Sequence, residues 1–206
     1  MTRRSLFFCL AAILTVCGCS NRSGRVDTPD VDPVQASQAA VELYDANSDG
    51  KLDQEELKQC PAILHRIGKY DTDSDGQVSA EEIAARMEDW YETRVGMMTL
   101  NCRVTLDGAP LIGAEVRLTP EPFLAPVIKP ASGVTEAGGL AFLSIAPEDR
   151  PADLQMLEGV HIGLYKAQIT HPSKNLPAKY NTASTLGHEI AYKDQVGGIG
   201  FELRSR

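Results

Sequence analysis

Twelve consecutive residues, Asp45-Ala46-Asn47-Ser48-Asp49-Gly50-Lys51-Leu52-Asp53-Gln54-Glu55-Glu56, place oxygen-bearing side chains at loop positions one, three, five, nine and twelve, with glycine at six. The stretch Asp71-Thr72-Asp73-Ser74-Asp75-Gly76-Gln77-Val78-Ser79-Ala80-Glu81-Glu82 repeats that pattern, starting 26 residues later. A tightly wound loop turns alternate side chains toward one centre, so each stretch gathers oxygens around a point. That is the chemistry of a hard cation, and Ca²⁺ takes about six to eight oxygen ligands in such a setting. Asp45, Asn47 and Asp49 are expected to supply side-chain oxygens, Lys51 its backbone carbonyl, Asp53 a contact through water and Glu56 both carboxylate oxygens. Asp71, Asp73, Asp75, Gln77, Ser79 and Glu82 are expected to take the same roles in the second loop, giving two Ca²⁺ ions in all.

Loops of this kind need helices on both sides. Ala39, Ala40 and Leu43, with Val34 upstream, give the helix entering the first loop an apolar face. Leu57 continues the core beyond that loop, Pro61 ends the short exit helix, and residues 63–70 lead into the second loop. Ile83, Met87, Trp90 and Tyr91 form an apolar stripe on the last helix, with Trp90 read as packing. Gly50 and Gly76 stand where the chain must turn with positive φ, while Leu52 and Val78 occupy matching positions suited to a short two-stranded contact. His65 has no cysteine or second histidine near it in sequence and reads as an ordinary helix residue.

The charge follows the loops. Residues 27–94 hold 17 acidic and 6 basic residues, a net of −11, whereas residues 95–206 hold 11 and 10. An acidic chain offers little to a phosphate backbone, so nucleic acid is not an expected partner. The loop segments resemble the EF-hand family, and their close spacing resembles the compact pairs of bacterial secreted proteins, dockerins among them.

Composition changes near Gly96. Nine of the twelve prolines lie beyond Val95, and runs such as residues 99–106 and 160–169 alternate apolar and polar residues. Period-two patterns broken by Gly, Pro and Asp predict short strands, about six or seven of them, in an antiparallel β-sandwich. The expected fold is therefore α+β in two domains: an all-α EF-hand pair at 34–95, followed by the sandwich at 96–206. The phrases Leu106-Asp107-Gly108-Ala109-Pro110-Leu111, Gly113-Ala114-Glu115-Val116 and Thr135-Glu136-Ala137-Gly138-Gly139 resemble the carboxypeptidase-regulatory-like, transthyretin-like modules of bacterial lipoproteins, especially planctomycete ones. That resemblance implies a noncatalytic accessory domain. Ser132, Ser144 and Ser173 lack a nucleophile-elbow context, and His161, His171 and His188 have no evident partner acid, so no enzyme activity is expected. Cys60 and Cys102 could pair or stay as thiols; Cys102, inside an alternating strand, reads as buried and structural.

At the other end, Arg3 and Arg4 precede an apolar run from Leu6 to Val16, the order of an export signal and too short for a permanent span. The segment Leu14-Thr15-Val16-Cys17-Gly18-Cys19-Ser20 resembles a bacterial lipobox. The resemblance implies a signal peptide at 1–18, lipidation of Cys19, a flexible polar tether at 19–33, and a place in the cell envelope facing the periplasm or exterior. Partners are then the membrane, through the N-terminal lipid anchor, and an envelope protein or glycan. The function so read is a structural or adhesive calcium-binding protein. The alternatives are a calcium-responsive regulator presenting its sandwich to a protein and, more remotely, a calcium-stabilised hydrolase. Mass spectrometry of the native protein should find acyl chains on Cys19, and Cys19→Ala should abolish them; an unmodified native N-terminus would remove the anchor.

Overall fold

The computed structural model describes residues 26–150, 154–194 and 198–206. The signal peptide, the lipobox cysteine and the first part of the tether lie outside these residues. Helix α1 (Pro33–Tyr44) starts where the sequence provides for it: Asp32 Oδ1 accepts from the backbone N–H groups of Val34 (2.9 Å) and Gln35 (3.2 Å). Pro33 stands in the first turn, where its missing N–H leaves no bond unmade. Strand β1 (Lys51–Leu52) follows the first loop. A 3₁₀ turn over Glu56–Gln59 ends at Cys60, which Pro61 keeps out of helical geometry. Pro61 then opens α2 (Pro61–His65), and a break at Arg66 separates it from α3 (Ile67–Tyr70). Strand β2 (Val78–Ser79) pairs antiparallel with β1, placing Leu52 opposite Val78 as expected. Helix α4 (Ala80–Glu92) begins in a capping box between Ser79 and Glu82.

The face of α1 differs from the expected one. Ala36, Ser37, Ala40 and Tyr44 are buried, while Val34 and Leu43 are about half exposed. Tyr44 decides the rotation, because its hydroxyl donates to Glu121 Oε2 (2.8 Å) and its ring meets Phe123 edge-on. Residues 26–32, the far end of the stretch read as a tether, lie against the fold. Val26 is buried and its carbonyl accepts from the Gly96 N–H (3.1 Å).

Ten strands follow: β3 (Met97–Met98), β4 (Leu100–Leu106), β5 (Ala109–Pro110), β6 (Glu115–Pro120), β7 (Ala131–Val134), β8 (Leu140–Ile145), β9 (Val160–His161), β10 (Gly163–Thr170), β11 (Leu186–Ile190) and β12 (Ile199–Leu203). Strands β3 and β9 form a separate ribbon, and the other eight form one continuous sheet with the path β11-β10-β6-β7-β8-β4-β12, β5 pairing with β4. The sheet curls into a half-barrel, and β4, β6, β8 and β12 turn alternate side chains into one interior. All its pairings are antiparallel except β12 with β4, which run parallel. A parallel pair needs a long crossover, and here the intervening strands supply it.

The helices do not stand apart from this sheet. One contiguous core runs from Ala36 and Trp90 through to Leu203. Helix α2 lies on β11 so closely that a Cβ on Gly187 would fall 2.2 Å from the Ala62 nitrogen, which only glycine avoids. Cys60, at this seam, and Cys102, within β4, are separate buried thiols rather than a disulfide. Burial pushes the Cys102 thiol up to about 12; burial and the Glu121 carboxyl push Cys60 up as well, so both are poor nucleophiles.

Glu121 itself is 1% exposed, with no nitrogen or hydroxyl donor at Oε1. Burial raises its pKa against the opposing help of the Tyr44 hydroxyl and Lys166. A carboxyl whose folded pKa lies above its unfolded value holds its proton longer in the native state, so stability falls as pH climbs from the unfolded value, about 4.3. Glu121→Gln removes that slope. Denaturant titrations in saturating Ca²⁺ should show the variant gaining on the wild type between pH 4 and pH 7; a constant difference would mean Glu121 does not titrate in this way.

Candidate metal centre

The two loops are conformational copies. Ser48 and Ser74, each at loop position four, have φ of 63° and 62°, and Gly50 and Gly76, at position six, have φ of 85° and 87°. The glycines meet that demand without strain; the serines meet it because the loop's own hydrogen bonds hold them. Asp45 caps the end of α1, and its two carboxylate oxygens accept from the N–H groups of Ser48 (2.6 Å) and Gly50 (2.8 Å). Asp71 follows α3, and its oxygens accept from Asp75 N–H and Gly76 N–H (both 3.1 Å). Each carboxylate therefore faces the negative end of its entering helix, an arrangement that a cation relieves.

The last position of each loop closes it. Glu56 Oε1 accepts from Ala46 N–H (2.9 Å) and Asn47 N–H (3.2 Å), and Oε2 from Asp53 N–H (2.9 Å). Glu82 does the same for Thr72 N–H (2.7 Å) and Ser79 N–H (2.9 Å). Burial works to raise the Glu82 pKa, but the bonds from Ser79 and Thr72 outweigh it and keep the carboxyl ionised further into acid. Asp49 is likewise held low, chiefly by the Lys51 N–H, and Asp75 chiefly by the Lys51 side chain.

In the second loop Asp71, Asp73 and Glu82 bring carboxylate oxygens within 4.8 Å of one another. No other three acidic, histidine or cysteine side chains converge so tightly among the described residues. The first loop carries Asn47 where the second carries Asp73, so an amide oxygen stands in place of one carboxylate. Converging ionised oxygens with no basic side chain of their own loop among them suit a hard divalent cation. Asp71, Asp73, Asp75, Gln77, Ser79 and Glu82 would hold one such ion, and Asp45, Asn47, Asp49, Lys51, Asp53 and Glu56 another.

Sequence reasoning missed an exchange between the loops. Lys51, placed at position seven for its carbonyl, pairs its ammonium with Asp75 of the other loop. Gln77, at the matching position, donates from Nε2 to Asp49 Oδ2 (3.2 Å). Each position-seven side chain thus crosses to the position-five carboxylate of its neighbour. The pairing of β1 and β2 aims them there, a direction that one loop's spacing does not encode.

His161, His171 and His188 make separate contacts. The His161 ring takes the Lys129 N–H (3.5 Å), the His171 ring meets the Ile112 carbonyl (2.9 Å) and the Ser173 N–H (3.1 Å), and His188 lies against His65.

The EF-hand family model matches residues 42–61 and 66–87, two segments that contain both loops. No curated protein matches the chain. Loop conformation, donor chemistry and family match agree on calcium binding. Glu82→Gln removes the closing carboxylate of the second loop and should weaken calcium there at least about tenfold, with the first loop little changed. Calorimetric titration resolving the two sites checks this, and equal losses at both would make the loops one inseparable unit.

Proposed function

We propose that this chain is a calcium-stabilised structural protein of the bacterial cell envelope, anchored through a lipid on Cys19. In this reading two Ca²⁺ ions hold the EF-hand pair against its own β-domain, which faces an envelope protein or glycan. The observation that carries the reading is where the apolar side of the EF-hand unit goes. A calcium sensor opens its helices and bares a methionine-rich groove to a target. Here Met87 and Ile83 are fully buried, α2 is pressed onto β10 and β11, and Tyr44 is bonded to Glu121 of the β-domain. The surface a sensor would offer is already occupied by the same chain.

The two helices flanking the second loop are tied down by one buried carboxylate. Glu189, in β11, is 0% exposed and accepts from Tyr70 Oη (3.2 Å), Trp90 Nε1 (2.5 Å) and Arg86 Nε (2.8 Å). Tyr70 immediately precedes Asp71, and Arg86 and Trp90 lie on the helix that contains Glu82. A cation that fixes Asp71 relative to Glu82 therefore supports the geometry that Glu189 needs. The support for anchoring is the lipobox resemblance at residues 14–20.

Calcium added to the metal-stripped protein, with a Mg²⁺ control, should bind at two sites and raise the unfolding temperature. At a hundredfold excess over Kd each independent site adds about 2.7 kcal/mol. An affinity near 10⁻⁴ M, the order found in extracellular modules, fits a structural role. An apolar dye should bind no more strongly with calcium than without it. Dye binding that rises with calcium would instead support a regulator.

A further inference from the structure

Where α2 meets β11 a cleft of about 270 Å³ opens, walled by Pro61, Leu64 and Phe201 and carrying Glu202, His65 and His188. The two imidazoles come from different elements, His65 from the last position of α2 and His188 from β11, yet their ring centroids are 5.1 Å apart at 40°. Of the four histidines in the chain, His161 and His171 commit ring nitrogens to the backbone. Neither His65 nor His188 makes a side-chain hydrogen bond to any described residue, so among these residues none of the four ring nitrogens is committed to a partner.

The backbones that carry the two rings are held close together. Gly187 packs on Ala62 and thereby sets the distance between α2 and β11, and His188 lies opposite Tyr165 in the β10 pairing. Both rings are also kept in the neutral form that ligates metals. Burial, with the charges of His65 and Arg66, lowers His188 to about 4; burial and Arg66 lower His65, against the pull of Glu189. Imidazole nitrogen is a borderline ligand that suits Zn²⁺ and its first-row neighbours and does not suit Ca²⁺.

We propose that His65 and His188 form a second metal site, distinct from the calcium loops, that takes a divalent transition-metal cation such as Zn²⁺ across the seam between helix and sheet. Glu202 gives the cleft an acidic wall, and water completes the coordination. A metal held there staples α2 to β11 whatever the state of the loops.

The test is a Zn²⁺ titration of the purified protein in excess Ca²⁺, followed through the ¹H–¹⁵N resonances of the imidazoles. His65 and His188 should shift together and saturate at one Zn²⁺ per chain, while His161 and His171 stay in place. His65→Gln and His188→Gln should each weaken Zn²⁺ at least about tenfold, and His171→Gln should leave it unchanged. Shifts confined to one ring, shifts spread over all four histidines, or none by about 1 mM free Zn²⁺ would overturn the site. Should a glutamine variant fail to fold, the wild-type spectra alone decide.

Discussion

The carboxylate of Glu189 is where the two halves of this protein are made into one. An ionised group without exposure needs its charge matched and its lone pairs filled, and Arg86, Tyr70 and Trp90 do both. Arg86 in turn reaches Asp194 and Asp89, and Lys193 pairs with Asp89, so the buried bond is continued to the surface by a chain of alternating charges. Taking one member away would leave another charge buried and unmatched, an effect of about 3–5 kcal/mol in comparable settings. The helices around the second loop, the position of β11 and the apolar seam beneath α2 all presuppose that cluster.

Glu121 plays the opposite part on the other side of the seam. It has a single hydroxyl donor, from Tyr44, and a thiol beside it. One interface thus contains a well-matched charge and an under-served carboxyl whose proton is held tightly. The first fixes geometry at the second calcium loop; the second makes the contact of α1 with the Pro-rich segment after β6 sensitive to proton concentration.

The metal loops were legible because their information is local. Asp45, Asp49, Gly50 and Glu56 stand in a fixed register over twelve residues, and the ion's demand for oxygens is written directly into it. The alternation in residues 100–106 and 115–120 was equally readable, since a strand with one buried face must repeat every two residues. Contacts between distant residues were not. Nothing near Tyr44 announces Glu121, 77 residues away, and without that bond Leu43 is the better guess for the buried face of α1. Nothing near Trp90 announces Glu189, and His65 looked ordinary until β11 brought His188 to it. The contact between the helical region and the β-domain was hidden for the same reason: a seam is built from side chains that each segment presents without naming its partner.

The parallel pairing of β12 with β4 carries a consequence for how the chain reaches this state. Ile199 must find Cys102 after nearly the whole β-domain has been laid down between them, so this closure has one of the largest entropy costs in the fold. Contacts of such sequence separation form late. Until β12 arrives, the outer edge of β4 offers unpaired backbone groups to any passing strand, a template for misassembly. The β5 hairpin pairs with Thr105 and Leu106 on the opposite edge of β4, the one that β8 continues, and leaves the β12 edge uncovered. Kinetic vulnerability is therefore concentrated at one sheet edge, and binding of the ion does nothing to shorten the search that closes it.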